Sequence, residues 1–355
     1  MGSAAEAAKQ FCKKYGDGAA GVGVDSAVSP RVRSGILEFD VNSGGGWPAY
    51  AMSVVAGPES VGKSILLYKT AATYHEDHPD EVVALLDLEG NYSSPWGKAF
   101  GVDESRLLKL APDYGEQAAD MICDVIEAAD DVGLLLCDSL AQLVPAIECE
   151  KSAEDAVVGR NGLLISRLLR KTCVLLNAAK RRGRPKTVVY TNQFRSKIGV
   201  TMGDPRGMPG GNAPKYYANM IVYLHGGKET ILPDVHPTRP ALKHLAGSLK
   251  KPPKGPFLSI GFDADVALIP HGGARTGDSV NDWKFVSGYF AEMGLFGKQG
   301  KGWQVMGHEF PRQKDCRDWY ESHRREAQAE LTARLLADSS LVGEVEAGDD
   351  GDRDA

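Results

Sequence analysis

Gly57-Pro58-Glu59-Ser60-Val61-Gly62-Lys63-Ser64 has the spacing G-x-x-x-x-G-K-[ST]. Glycines at that spacing let successive backbone N–H groups turn inward around phosphate oxygens, and a helix opening at Lys63 adds the positive end of its dipole. Lys63 then reaches the terminal phosphates of a nucleoside triphosphate, Ser64 ligates Mg²⁺, and Ile65 continues the helix. A glycine turn with a solvated lysine is the bland alternative. The apolar run Ala51–Ala56 before the motif and the helix-length segment Lys63–His75 after it argue against that alternative.

Carboxylates are the second requirement. Leu134-Leu135-Leu136-Cys137-Asp138 reads as an apolar strand ending in an acid, placed to hold the water shell of the same Mg²⁺. Asp87 and Glu89 end an earlier strand-like run, and acids at the C-terminal edge of a parallel sheet lie where ligands bind. One of the two is positioned to orient water against the γ-phosphate. Each of these acids also has a purely structural reading as a strand-end cap.

Apolar runs near Ala51–Ala56, Val82–Glu89, Gly133–Ser139, Thr187–Gln193 and Asn219–His225 alternate with helical patterns near Lys63–His75, Gly115–Ala129 and Gly162–Arg181. That alternation predicts a largely parallel sheet covered by helices, which would bring the phosphate loop and the acids to one edge. At 355 residues the chain is long enough for one large α/β core with smaller terminal modules. Ala4–Tyr15 reads as a short helix on a glycine-rich link. Pro233–Pro256 is a stretch rich in proline and lysine, Phe257–Ile269 then reads as one or two further strands, and Asp278–Leu295 and Lys314–Leu336 as the helices of a C-terminal module. From Glu344 the chain carries six acids and one arginine, the pattern of a disordered tail. The six cysteines are scattered, with no metal-ligand spacing, which reads as a reduced, structural set. No apolar run approaches a bilayer span, and no basic, then hydrophobic, leader precedes the first helix, so the expected location is the cytoplasm. The net charge of −6 excludes DNA binding by the surface at large but not by a local groove.

These residues resemble a family. Gly57–Ser64, Leu86–Glu89, Cys137-Asp138-Ser139, Thr191-Asn192-Gln193, Lys197-Ile-Gly-Val200 and Gly210-Gly-Asn-Ala213 are similar, in order and spacing, to the bacterial RecA recombinases and their phage relatives. The likeness spans roughly Ser34–Val222. It implies a RecA-fold P-loop core with a short N-terminal oligomerisation helix and a small α/β C-terminal domain. The expected division is 1–33 helix and linker, 34–270 ATPase and DNA-binding core, 271–340 C-terminal domain, and 341–355 acidic tail. The resemblance makes Glu89 the group that activates water, with Asp87 structural, and Gln193 the sensor of the γ-phosphate. Trp96 falls where the family sets an aromatic ring against adenine; a core tryptophan is the alternative.

Arg195–Pro214 contains five glycines and three basic residues without periodicity, unusual inside a compact domain unless functional or disordered. The resemblance makes it the second DNA loop. Arg195, Lys197, Gly210, Gly211 and Asn212 would hold phosphates, and Met202 would wedge between bases. Glu150–Gly159 would be the first loop, followed on its helix by Ser166, Arg170 and Lys171, which otherwise form a solvated helix face. The family's pair of lysines acting on a neighbour's γ-phosphate has its nearest counterparts in Lys250 and Lys251, at shortened spacing from Phe257. The densest basic run, Lys180–Lys186, reads as a solvated turn on the opposite sheet edge. The implied activity is DNA-dependent ATP hydrolysis with Mg²⁺. The implied partners are single- and double-stranded DNA, further copies in a head-to-tail helical filament, and single-strand-binding and loader proteins. A ring-forming motor on the same fold and a non-hydrolysing DNA-binding regulator are the rivals.

Overall fold

A computed structural model describes residues 3–15, 30–150, 159–196, 206–253 and 260–337. Helix α1 (Ala4–Tyr15) comes first; β1 (Arg31–Val32) pairs with β2 (Trp47–Pro48) across helix α2 (Leu37–Asn42). The repeating part then runs β3 (Ala51–Gly57), α3 (Lys63–Asp77), β4 (Val82–Asp87), α4 (Ser94–Phe100), β5 (Leu107–Leu110), α5 (Gly115–Ala128) and β6 (Val132–Asp138). It continues through α6 (Ala146–Glu150), α7 (Arg160–Arg181), β7 (Thr187–Gln193), a short pair β8 (Arg195–Ser196) and β9 (Arg206–Gly207), α8 (Ala213–Tyr217) and β10 (Met220–Leu224). Strands β11 (Glu229–Ile231), β12 (Pro240–Lys251), β13 (Gly261–Ala267) and β14 (Ser279–Val280) extend the same sheet.

The sheet order is β14-β13-β12-β10-β3-β7-β6-β4-β5, with β11 on β12. From β10 to β5 every pairing is parallel, and β12, β13 and β14 add on antiparallel. Both faces are covered, as the long apolar strands require. Val83, Leu85, Leu134 and Leu136 point to one side, where Leu66, Leu67, Ala71 and Tyr74 of α3 meet them. Ala84, Leu86, Leu135 and Cys137 point to the other, against Ile122 of α5 and Ile165, Leu168 and Leu169 of α7. The period of two along the strands thus sorts neighbouring residues into two cores.

The proline- and lysine-rich stretch Pro233–Pro256, given no element by its composition, contains the twelve-residue strand β12. Its prolines do not oppose this: Pro240 is the first strand residue and Pro252 and Pro253 follow the last. The C-terminal helices are shorter than their patterns: α9 is Trp283–Glu292, and the second segment divides into α10 (Gln313–Ser322) and α11 (Arg324–Ala337). The division falls at His323, whose N–H donates to the carbonyls of both Trp319 and Tyr320 and closes α10. Between them lies an antiparallel sheet, β15 (Phe296–Gln299), β16 (Gly302–Val305) and β17 (His308–Phe310). This module has its own core of Val286, Phe290, Val305, Cys316, Tyr320 and Leu331, to which α2 contributes Leu37 and Val41. Among the described residues no helix is long and apolar enough to cross a membrane.

Candidate active site

Strand β3 ends at Gly57, and a loop carries the chain to α3. Gly62 adopts φ +103°, and a Cβ there would lie 2.3 Å from Leu245 Cδ2. Any other residue would strain the backbone and force the Leu245 side chain of β12 to shift. Pro58, Glu59 and Ser60 form an exposed crest, while Val61 and Lys63 are buried and Ile65 packs half-buried on the α3 core. Lys63 Nζ donates to the carbonyl oxygens of Pro58 (2.6 Å) and Gly57 (3.3 Å). Burial pulls its pKa down, opposed by Asp138, Glu89 and Glu59.

At the start of α3, Ser64 Oγ donates to Asp138 Oδ2 at 2.6 Å. Thr191, near the end of β7, donates to the other carboxylate oxygen. Burial raises the pKa of Asp138, and the hydrogen bonds from Ser64 and Thr191 work against that rise. Glu89, just past β4, is held from three sides. Its Oε1 accepts from Ser139 Oγ (2.8 Å) and Gln193 Nε2 (2.9 Å), and its Oε2 from Asn91 Nδ2 (3.1 Å). Asp87 instead accepts the backbone N–H groups of Asn91 (3.2 Å) and Tyr92 (2.7 Å), so it shapes the turn after β4. Of the two acids left open by spacing alone, Glu89 is the one joined to Gln193.

All these groups sit at the C-terminal ends of β3, β4, β6 and β7, because parallel strands put their ends on one side and the register aligns Gly57 with Gln193 and Asp87 with Asp138. A glycine-bearing loop at a helix N-terminus, a buried ammonium, a hydroxyl–carboxylate pair and an oriented carboxylate together can bind a polyphosphate, take a hard cation and direct a water molecule. A family model for the RecA N-terminal domain matches residues 3–232. The chain belongs to the RecA family.

Protein RecA of Petrotoga mobilis is 34% identical over 223 residues, 62% of this chain and 58% of that protein. Protein RecA of Thermotoga neapolitana is 34% identical over 227 residues, covering 63% and 62% of the two chains. That of Mesoplasma florum is 30% identical over 240 residues, covering 67% and 70%. The aligned stretch therefore spans less than two thirds of the Petrotoga and Thermotoga proteins.

Trp96 on α4 is 43% exposed, its ring 5.6 Å from that of Phe100, so it is a surface residue and not a core one. Asn192 accepts the N–H of Gln193 and donates to the carbonyl of Pro209 at 3.1 Å, which ties the end of β7 to the glycine pair. Arg195, exposed, pairs with Gly207 across β8 and β9. A Cβ on Gly210 would come within 2.6 Å of Ile165 Cγ2, so the pair is seated on α7, the helix that carries Ser166, Arg170 and Lys171. Gly211 and Asn212 are exposed beside it. Arg170 is exposed, whereas Lys171 Nζ is bonded to Asp120 of α5 at 3.1 Å. Lys197, Met202 and residues 151–158 lie outside the described residues.

Lys250 and Lys251 are not brought to this chain's own phosphate loop. They end β12, where Lys251 is level with Ile221 and so with Val54, in the middle of β3. Lys250 lies over the Tyr223 ring and Lys251 donates to the carbonyl of Lys215. Sequence reasoning quoted Ser139 and Thr191 only as parts of motifs and gave them no role, and it missed Asn91, two residues past Glu89, and Lys243. That lysine donates to the carbonyl of Ser60 at 2.9 Å across 183 positions of chain, a separation no local pattern reports.

Proposed function

We propose that the chain is a DNA-dependent ATPase of homologous recombination. It assembles head to tail into a helical filament on single-stranded DNA and pairs that strand with homologous double-stranded DNA. The observation that carries this reading is the pair Asn192-Gln193. Gln193 bonds to Glu89 at the phosphate edge, while Asn192 bonds to Pro209 at the root of the second glycine-rich segment. One strand end thus touches both the group that would direct water and the segment that would grip DNA.

The residues fit their cofactor. Ser64 and Asp138 offer hard oxygens in contact, and the buried Asp138 carboxylate is short of compensating charge, which suits Mg²⁺. When bound, Mg²⁺ neutralises negative charge that develops on the phosphates. The loop N–H groups and Lys63 hold and orient the triphosphate, Trp96 covers the adenine, and Glu89 orients the attacking water. Gln193 exchanges its bond to Glu89 for one to the γ-phosphate, and the change passes through Asn192 to the loop. Lys250 and Lys251 fulfil their assignment only from a neighbouring copy, consistent with a head-to-tail interface that yields an open helix. In this scheme residues 34–270 form the ATPase and DNA-binding core, with 271–340 as a C-terminal domain. Single-strand-binding and loader proteins are the expected helpers, and the site of action is the cytoplasm.

D-loop formation tests the pairing step. Purified protein with ATP, Mg²⁺ and a homologous oligonucleotide should yield D-loops from supercoiled DNA, and Lys63→Ala should not. Strand separation of duplex without pairing would support a motor instead.

A further inference from the structure

The phosphate loop rests on a floor built far away in sequence. Leu245 lies under Gly62, Gly227 under Val61, and the carbonyl of Leu224 lies 2.9 Å from where a Cβ on Gly57 would stand. Lys243 comes up through this floor. Its ammonium donates to the carbonyl of Ser60 at 2.9 Å and to Glu229 Oε1 at 3.0 Å, and the residue is only 4% exposed. Glu229 is half exposed, so the counter-charge is partly solvated while the cation is not.

A buried lysine with one half-exposed carboxylate is an expensive arrangement for packing alone. Its position says what it does. The Ser60 carbonyl belongs to the same peptide unit as the Val61 N–H, and N–H groups of such a loop turn toward the phosphates. A cation on the carbonyl side polarises that peptide and strengthens its N–H as a donor, since hydrogen bonds in a chain reinforce one another at low dielectric. It also fixes Ser60 at φ +57°, a conformation that a serine adopts only when its surroundings hold it there. Lys63 works from inside the loop and Lys243 from behind it.

We infer that Lys243 is a positioning residue of the nucleotide site, acting in the same chain through the Ser60–Val61 peptide to raise affinity for the polyphosphate. The inference rests on the nucleotide-binding reading above. It assigns Lys243 to binding and not to turnover, because it touches the loop backbone and none of Glu89, Gln193, Ser64 or Asp138.

The test is calorimetric titration of the full chain with MgATP and MgADP, alongside steady-state hydrolysis. Lys243→Met should bind both nucleotides about tenfold more weakly, a change of ~1.4 kcal/mol, with a raised KM and a kcat within about twofold of the parent. Lys243→Arg should restore most of the affinity. Glu229→Gln removes the counter-charge and should tighten binding about two- to threefold. Opposite signs for the two partners are not what a structural ion pair gives, since there both changes loosen the fold alike. A Lys243→Met protein that binds less than threefold more weakly than the parent overturns the inference. If that variant does not fold, Glu229→Gln decides: binding equal to or weaker than the parent overturns it. The parent and Lys63→Ala separate the two levels. A parent chain that binds no nucleotide sinks the nucleotide reading itself, whereas a parent that binds, a Lys63→Ala that does not, and an unaffected Lys243→Met sink only this assignment.

Discussion

The two edges of the central sheet both carry lysines, and they use them in opposite ways. At the C-terminal edge, Lys63 and Lys243 flank a loop whose crest is exposed, and beside it the carboxylates Asp87, Glu89 and Asp138 are gathered from the ends of β4 and β6. At the other edge lies Lys180-Arg-Arg-Gly-Arg-Pro-Lys186, the densest basic run in the chain. There Lys186 is buried with its ammonium on the carbonyls of Ala129 and Val132, and Arg184 is paired with Asp130. The run joins α7 to β7 and pins the turn before β6. Charge density therefore does not mark the site; what marks it is a cation aimed at backbone that is shaped to accept an anion.

Changes at the two edges should separate function from stability. The largest effect is expected from Lys63→Ala, which should abolish measurable nucleotide binding by titration while leaving the thermal midpoint close to that of the parent. Glu89→Gln should keep nucleotide affinity and lower kcat by about 10²- to 10⁴-fold, the range of a lost general base. Asn91→Asp preserves shape and the backbone N–H bond that this residue donates to Asp87 but replaces a side-chain donor to Glu89 with a like charge; about a tenfold loss in kcat at unchanged affinity is expected from steady-state kinetics. At the opposite edge, Lys186→Met strands two buried carbonyls. It should cost about 1–3 kcal/mol in denaturant unfolding with nucleotide affinity unchanged. Arg184→Ala, breaking an exposed pair, should cost under about 1 kcal/mol in the same measurement. A loss of nucleotide binding in Lys186→Met would break the distinction between the edges.

Five of the six parallel strands were legible because their apolar runs were long and the helices between them carried a one-sided pattern or followed a recognisable loop; the four-residue β5 and the seven-residue α4 before it were too short to leave such a pattern. β12 was not legible either, since its proline-rich flanks hid a strand that the prolines only bracket. The phosphate loop and the strand-end acids were legible for a related reason: local spacing fixes them on strand ends, and parallel register then brings those ends together, whereas the choice of Glu89 over Asp87 and the role of Gln193 came from the family resemblance. Asn91 and Ser139 lay within reach of that logic, as neighbours of chosen residues. Lys243 did not, because its partner Ser60 is joined to it only by the addition of an antiparallel strand on the far side of β10. Lys250 and Lys251, chosen by likeness for a neighbour's phosphates, stand at the end of that same strand away from their own loop.

The central claim is that nucleotide chemistry at one sheet edge is coupled to DNA at the segment tethered by Asn192. Its most direct test is the rate of ATP hydrolysis with and without single-stranded DNA, with Lys63→Ala as the blank. Turnover that rises at least tenfold with DNA and vanishes in the blank is the predicted result. Turnover of the same rate with and without DNA would contradict the account.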